Sequence, residues 1–354
     1  MQNEFTKVKS FQFPREILAG HDVICRTAEM CDSFGLEKRA LLVAGRKTNG
    51  IAGKLVAGIL QKGGYETNTI ILEEASRTNV EKCKKAVKEH RSYFIIGVGG
   101  GSKIDIAKLS AAELHVPYFS IPTSASHDGI ASPRASIKDM GQSFSVEAKM
   151  PLGIIADTAI IVKSPYRLLA SGCADIIANA TALKDWELAS RLKMESFSRT
   201  AYTMSKAAAD TIIGKADSIR PGDEESVWVV IRQIIVSGLS MGVAGSSRPT
   251  SGSEHLFSHA LDMLAPGRAL HGEQCGVGTI MMMYLHNGDW EGIRNALVML
   301  KAPATAKGLG FAEKEIVKAL TMAQKIRPER YTILGERGLS NTQAEKLAKA
   351  TCVI

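Results

Sequence analysis

The chain has 354 residues, 45% of them apolar and 23% charged, with a net charge of +8. That length and balance suit a soluble globular protein of about two domains that buries its cores without staples. The Lys and Arg residues are scattered and the 6% of aromatics do not alternate with them, which argues against a nucleic-acid partner.

From the N-terminus, "MQNEFTKVKSFQFPREI" has no apolar leader. "RALLVAG" (39–45) is a short apolar run ending in Gly, and a helix-compatible segment follows over 50–62. "TNTIIL" (67–72) is β-branched, and "NVEKCKKAVKEH" (79–90) is amphipathic with a solvated charged face. "YFIIGVGGG" (93–101) is a strand running into a glycine turn, "KIDIAKLSAAEL" (103–114) a helix, and "VPYFSIPTS" (116–124) another strand. Strands and helices taking turns imply βαβ units and a mostly parallel sheet. After about residue 163 the texture becomes helical, rich in Ala, Leu and Met. The expected organisation is an α/β N-terminal domain over 1–163 and an all-α C-terminal domain over 164–354. No apolar run approaches the ~18 residues of a membrane span, so no integral membrane segment is expected. Six cysteines without a C-x-x-C pair read as free thiols of a reducing, cytoplasmic compartment.

The turn "GVGGGSKIDIAK" (97–108) follows a strand and opens a helix, which suits phosphate binding on backbone amides and a helix N-terminus. Ser102 replaces the last Gly of G-x-G-x-x-G and the turn follows a late strand, so a dinucleotide here requires a non-standard Rossmann-like variant. "GK[ST]" is missing, so it is not a Walker A loop. The next strand end, "IPTSASHDGIASPRASI" (121–137), offers Thr123, Ser124 and Ser126 as donors to sugar or phosphate, and Asp128 as an acceptor from a hydroxyl. As composition alone, it is also an ordinary polar loop.

"SGCADIIANATALKDWELA" places Asp175 in a largely apolar helix, where a carboxylate is costly unless paired or metal-bound. The same helix can instead turn Asp175 to water. Asp185 and Glu187, further along, read as solvated. "SGSEHLFSHALDMLAPGRALHGEQCG" (251–276) holds three of the chain's eight histidines. His255 and His259, four apart, share a helix face, Pro266 and Gly267 end that helix, and His271 folds back from the following loop or helix start. Such a set grips a divalent metal or a phosphate, or simply satisfies itself in a core. H-E-x-x-H is absent, so a metalloprotease helix is not indicated.

Taken together, "GGGSKIDIAK", "PTSASHDGIASPRASI", "CADIIANATALKDWELA" and "EHLFSHALD…HGEQCGVGT" resemble the archaeal-type sn-glycerol-1-phosphate dehydrogenases. These belong to the iron-dependent alcohol dehydrogenase, glycerol dehydrogenase and dehydroquinate synthase superfamily. The resemblance runs from about residue 14 to 340, with "SHDGIASPRASI" its most specific part. It implies a dehydroquinate synthase-like fold and a cytoplasmic homo-oligomer, a dimer or an octamer. By this resemblance Gly99, Gly100, Gly101, Ser102 and Lys103 hold the pyrophosphate of NAD(H) or NADP(H). Thr123, Ser124, Ala125, Ser126 and Ser132 line the nicotinamide-ribose side. Asp175, His255 and His271 look like ligands of one Zn2+ per subunit, although such a set also suits iron(II) or nickel. Asp128 and His259 look like catalytic substrate contacts, with Asp175 beside the substrate as well.

The implied reaction is metal-polarised hydride transfer from NAD(P)H to dihydroxyacetone phosphate, giving sn-glycerol 1-phosphate for archaeal membrane lipids. His259 relays the proton. In "AGRKTNG", Arg46 and Lys47 stand where a strict NAD enzyme has a carboxylate, so a 2′-phosphate can be taken there and NADPH is expected to serve well. The nearest rival is a glycerol dehydrogenase acting on unphosphorylated glycerol or dihydroxyacetone. Others are a cyclase like dehydroquinate synthase and a regulator that keeps the fold without catalysis.

Overall fold

The computed structural model describes residues 11–139 and 142–354. Part of the N-terminal stretch read as lacking an apolar leader, residues 1–10, lies outside the described residues.

In chain order the strands are β1 (Glu16–Gly20), β2 (Arg39–Ala44), β3 (Glu66–Ile71), β4 (Phe94–Gly99), β5 (Tyr118–Pro122), β6 (Arg134–Asp139), β7 (Gln142–Glu147) and β8 (Gly153–Asp157). Six of them form one sheet ordered β1-β8-β5-β4-β2-β3, every pair parallel. Such sheets are covered on both faces, and β2 is a run of buried residues from Ala40 to Ala44. Alternate side chains go to opposite cores. Leu41, Val43 and Ile95 join one buried cluster, and Ala40, Leu42, Phe94 and Ile96 the other.

β6 begins inside the stretch read as a polar loop (121–137) and pairs antiparallel with β7, which lies beyond it. Its period-2 signal is short: Ala135 and Ile137 are buried, Ser136 and Asp139 exposed. The chain runs outward from β2 to β3, then returns to the other side of β2 for β4 and continues to β5 and β8. The strand order therefore reverses between β2 and β4, and a ligand crevice opens beyond the carboxyl ends of strands at such a point.

From Tyr166 onward the described chain is helical. The long helix Tyr166–Lys193 is buried along most of its length, and the helices Arg199–Gly214, Glu224–Ala244, Ser253–Leu264 and His271–Leu285 pack on it. One buried cluster runs from a face of the sheet through Ile176 and Ile177 to Ile280. Against expectation, the helix Glu224–Ala244 is long and apolar enough to cross a membrane, with a mean hydropathy of 1.7. Half of it is buried inside the protein, and its Ser237 reaches the candidate site. Gly272 permits the closest helix contact: a Cβ there would fall 1.9 Å from the Ser171 carbonyl oxygen. The His271 helix thus presses directly on the Asp175 helix.

Candidate active site

β4 ends at the glycine turn and the helix Gly101–Leu114 begins. The amides of Gly101 and Ser102 at its start have no intrahelical partner, the general condition of a helix start, whereas Lys103 N–H already donates to Gly100 O at 3.0 Å. Thr123 N–H donates to Gly99 O at 3.1 Å, drawing the end of β5 against this turn. Thr123, Ser124, Ala125 and Ser132 are buried, and Ser126 half-buried. The imidazole of His127, a residue given no role from sequence, covers Gly101 so closely that a Cβ there would sit 1.7 Å from Nε2. Its Nδ1 accepts from Gly129 N–H at 2.9 Å, and burial lowers its pKa to about 4.

Lys103 does not point over the turn. Its ammonium donates to Glu73 O at 2.6 Å and lies 3.5 Å from the Glu73 carboxylate. Glu73 also accepts from Arg46 N–H at 2.8 Å, while Thr48 Oγ1 donates to Val98 O at 3.1 Å. A carboxylate is therefore present beside Arg46 after all, supplied by the end of β3 rather than by the turn after β2.

Lys108, fully buried on the glycine-turn helix, donates to Asp105 Oδ1 at 3.2 Å and to the Gly129 and Arg134 carbonyls. Asp105 in turn accepts from Ser136 N–H at 3.2 Å. This buried pair ties the helix to the loop that carries Asp128.

The histidine segment folds as expected, with a helix over Ser253–Leu264 and His271 as the first residue of His271–Leu285. Asp175, His255 and His271 converge: Asp175 Oδ1 lies 3.9 Å from His255 Nε2 and 3.7 Å from His271 Nε2. Oδ1 is buried and has no partner. His255 Nδ1–H donates to Glu254 Oε1 at 2.9 Å. Ser258 Oγ gives its proton to Gln274 Oε1 at 2.7 Å, so its lone pair accepts from His271 Nδ1–H at 3.2 Å. With both Nδ1 atoms held as donors, both Nε2 atoms carry lone pairs beside the orphaned oxygen, His271 Nε2 also within reach of the Cys275 thiol. A divalent cation satisfies all three, and tetrahedral zinc takes N and O ligands at ~2.0–2.2 Å. Cys275 Sγ is 3.6 Å from His271 Nε2, and one ligand atom from each of Asp175, His255, His271 and Cys275 lies within 4.8 Å of the others. Cys275 is a free, buried thiol whose pKa burial raises.

Asp175 Oδ2 accepts from Asp128 N–H at 3.0 Å, and Asp128 Oδ2 accepts from Ser237 Oγ at 3.0 Å. Burial first, and carboxylate neighbours second, hold both carboxyls up at about 7. His259 packs 6.2 Å from His271 between ring centres, its Nδ1 buried without a partner. Burial lowers its pKa well below the usual range, helped by neighbouring His271, His255 and two arginines.

A cavity of about 270 Å³ is lined by Ser102, Asp128, Ser132, His255, His259 and His271 among others. Gly99, Gly100, Gly101, Lys103, Thr123, Ser124, Ala125, Ser126 and Arg46 are not in its lining; they belong to the carboxyl edge of the sheet.

Asp185, read as solvated, is fully buried. It accepts from Ser253 N–H and Oγ–H at 2.6 Å each, Ile333 N–H at 2.7 Å and His286 Nε2–H at 3.0 Å. Lys184 and Glu187 beside it are half-buried, so the helix keeps a part-exposed face here, but Asp185 points to the opposite, enclosed one. Glu254 is likewise buried, and accepts from Gly252 N–H at 2.6 Å and Thr181 Oγ1 at 2.8 Å. Arg167 holds Glu273 with two bonds of 2.6 and 2.7 Å, fixing the start of the His271 helix. Sequence reasoning passed over Glu254, Cys275 and His127. The spacing H-x-x-x-C would have flagged Cys275; adjacency to a histidine gives no such signal for Glu254.

Residues 18–165 match the iron-containing alcohol dehydrogenase family. The chain is 51% identical over 346 residues to "Glycerol-1-phosphate dehydrogenase [NAD(P)+]" of Methanosarcina barkeri, covering 98% of this chain and 97% of that one. It is 48% identical over 350 residues to the protein of the same name from Picrophilus torridus, covering 99% of each. Among solved structures, glycerol dehydrogenase from Schizosaccharomyces pombe superposes with a TM-score of 0.82 at 22% identity, over 98% of this chain and 91% of that one. At that identity the likeness is one of fold.

Proposed function

This chain belongs to the NAD(P)-dependent glycerol-1-phosphate dehydrogenase family within the iron-containing alcohol dehydrogenases, and we propose that it reduces dihydroxyacetone phosphate to sn-glycerol 1-phosphate. It is an oxidoreductase, and its product is the glycerophosphate backbone of archaeal membrane lipids. The observation that carries the chemistry is the orphaned Asp175 Oδ1 lying within 4 Å of the Nε2 atoms of His255 and His271.

When bound, a divalent ion at Asp175, His255 and His271, zinc in this reading, supplies Lewis-acid polarisation of the ketone, and the reduced nicotinamide supplies the hydride. The chain's residues do the rest. Gly99, Gly100, Gly101 and Ser102 present amides and a helix start to the pyrophosphate, with Lys103 turning from Glu73 to join them. Thr123 to Ser126 and Ser132 receive the nicotinamide ribose. Asp128, with Oδ2 held by Ser237, keeps Oδ1 for a substrate hydroxyl. His259 is neutral in its buried place, so it accepts the hydroxyl proton in the oxidative direction, and in the reductive one it passes on a proton first taken up from solvent. Arg46 receives a 2′-phosphate and Glu73 a free 2′-hydroxyl, consistent with use of both nicotinamides. The enzyme works in the cytoplasm as a homo-oligomer, a dimer or an octamer.

The deciding experiment is oxidation of NADPH and NADH by zinc-loaded protein with dihydroxyacetone phosphate, beside dihydroxyacetone, followed by chiral analysis of the product. Turnover of the phosphorylated ketone to the sn-1 product is expected. A preference for dihydroxyacetone would move the chain to the glycerol dehydrogenases. An unchanged pH–rate profile in His259→Asn would remove the proton relay.

A further inference from the structure

The cavity has a cationic corner that the metal and dinucleotide groups do not use. Arg327 lines it together with Ser247, Thr250 and Ser251. Arg327 follows the helix Glu313–Ile326, on a loop fixed at Ile333 by Asp185 and at Tyr331 by Arg248. Among the described residues no hydrogen bond or ion pair engages its guanidinium. Arg330 donates to Ser247 Oγ at 3.2 Å and to the Ser251 carbonyl, while its buried Nε has no partner. Because Ser247 Oγ accepts from Arg330, it retains its own proton to give elsewhere.

Arg248 has its carboxylate in Glu195, but Arg327 and Arg330 have none within ion-pair distance among the described residues. Burial lowers the pKa of both, and Arg248 and then Arg327 lower that of Arg330 further by repulsion. Desolvated like charges held together are expensive unless something anionic enters. Both arginines also act on His255 and His259, so the corner lies within electrostatic reach of the metal histidines. Arg327 and these histidines line one cavity, so a small molecule with a ketone at one end and a phosphate at the other can meet both.

Resting on the function proposed above, we infer that Arg327, backed by Arg330 and the Ser247 hydroxyl, is the subsite that receives the substrate phosphate. A phosphomonoester carries close to two negative charges near pH 7. A guanidinium meets it with two parallel donors, and the Ser247 hydroxyl adds a third. The subsite makes Arg327 a specificity-determining residue. It separates a phosphorylated three-carbon ketone from its free counterpart, a distinction the metal ligands cannot make.

The test compares full-length, zinc-loaded wild type with Arg327→Met and Arg327→Lys, checked for equal NADPH affinity by fluorescence titration. The readout is the ratio of kcat/KM for dihydroxyacetone phosphate to that for dihydroxyacetone, with inhibition by inorganic phosphate in parallel. The ratio is expected to fall about 10- to 100-fold in Arg327→Met, the cost of a charge-assisted bond. Phosphate, competitive with the phosphorylated ketone in wild type, should lose its inhibition, and Arg327→Lys should keep part of both effects. An unchanged ratio and unchanged phosphate inhibition overturn the subsite, as does an equal fall for both ketones. If Arg327→Met does not fold, Arg327→Lys and Ser247→Ala carry the same comparison. A wild type that does not prefer the phosphorylated ketone overturns the underlying function instead, and the subsite falls with it.

Discussion

The backbone N–H of Asp128 donates to Asp175 Oδ2 at 3.0 Å, and this one bond leaves Oδ1 as the oxygen facing His255 and His271. The polar loop after β5 thereby orients a carboxylate on the long helix. In Asp175→Asn, elemental analysis is expected to find little zinc, and the thermal shift on adding zinc should vanish. In wild type, zinc at a hundred times its Kd stabilises by about 2.7 kcal/mol. Full zinc occupancy in Asp175→Asn would remove this residue from the ligand set.

Glu254 holds His255 in the tautomer with a free Nε2. Glu254→Gln should weaken zinc binding about 10- to 100-fold, as loss of a partner behind a ligand does elsewhere. Competition against a chromophoric chelator measures this. Equal affinity would mean that Thr181 and Gly252, not His255, are what Glu254 serves.

Gly272 allows the His271 helix to meet Ser171 O, where a methyl would sit at 1.9 Å. Gly272→Ala forces the two helices apart and should cost about 1–3 kcal/mol in denaturant unfolding, a typical penalty for overpacking. It should also weaken zinc binding, because His271 and Asp175 ride on the separated helices. Wild-type stability in this variant would show that the pair yields freely.

His127 has a folded pKa of about 4, depressed by burial from an ordinary 6.5. Between those values the unfolded chain holds the proton and the folded chain does not. Stability therefore rises with pH across this window, by about 1.4 kcal/mol per unit at most, and is lost as pH falls from 6.5 to 4. His127→Asn should flatten that dependence in unfolding titrations taken over the window. An identical slope in the variant would mean that His127 remains protonated when folded.

Arg46 is exposed beside Glu73, whose carboxylate accepts the Arg46 amide. Arg46→Ala should lower kcat/KM for NADPH about 10-fold while leaving NADH nearly unaffected, since a charge-assisted bond to a phosphate is lost. Steady-state rates with each nicotinamide decide it. Equal losses for both would assign Arg46 to the pyrophosphate.

The parts of this site that were legible in the sequence are those where a polar residue breaks an apolar pattern. Asp175 stands out among Ile176, Ile177 and Ala178, and the spacing of His255 and His259 puts them on one face. The alternating strands and helices before residue 163 announced the parallel sheet. Asp185 was misread because it stands between the half-buried Lys184 and Glu187, and only contacts with the distant Ser253 and Ile333 enclose it. β6 was lost among serines and prolines, its buried set being only Ala135 and Ile137. Glu73, Glu254 and Arg327 depend on tertiary folding. Glu73 meets Arg46 across two strand ends, and Arg327 comes to the cavity from a loop near the C-terminus. No local period encodes either meeting.

The bond from Ile333 N–H to Asp185 joins residues 148 apart in the chain. Asp185 also fastens the start of the helix that bears His255, so one buried carboxylate joins that helix to the segment around Ile333. The glycine turn and its strands emerge far earlier, since chains leave the ribosome N-terminus first. A growing polypeptide thus makes the glycine turn and its strands well before the segment around Ile333 that steadies the histidine-bearing helix from behind.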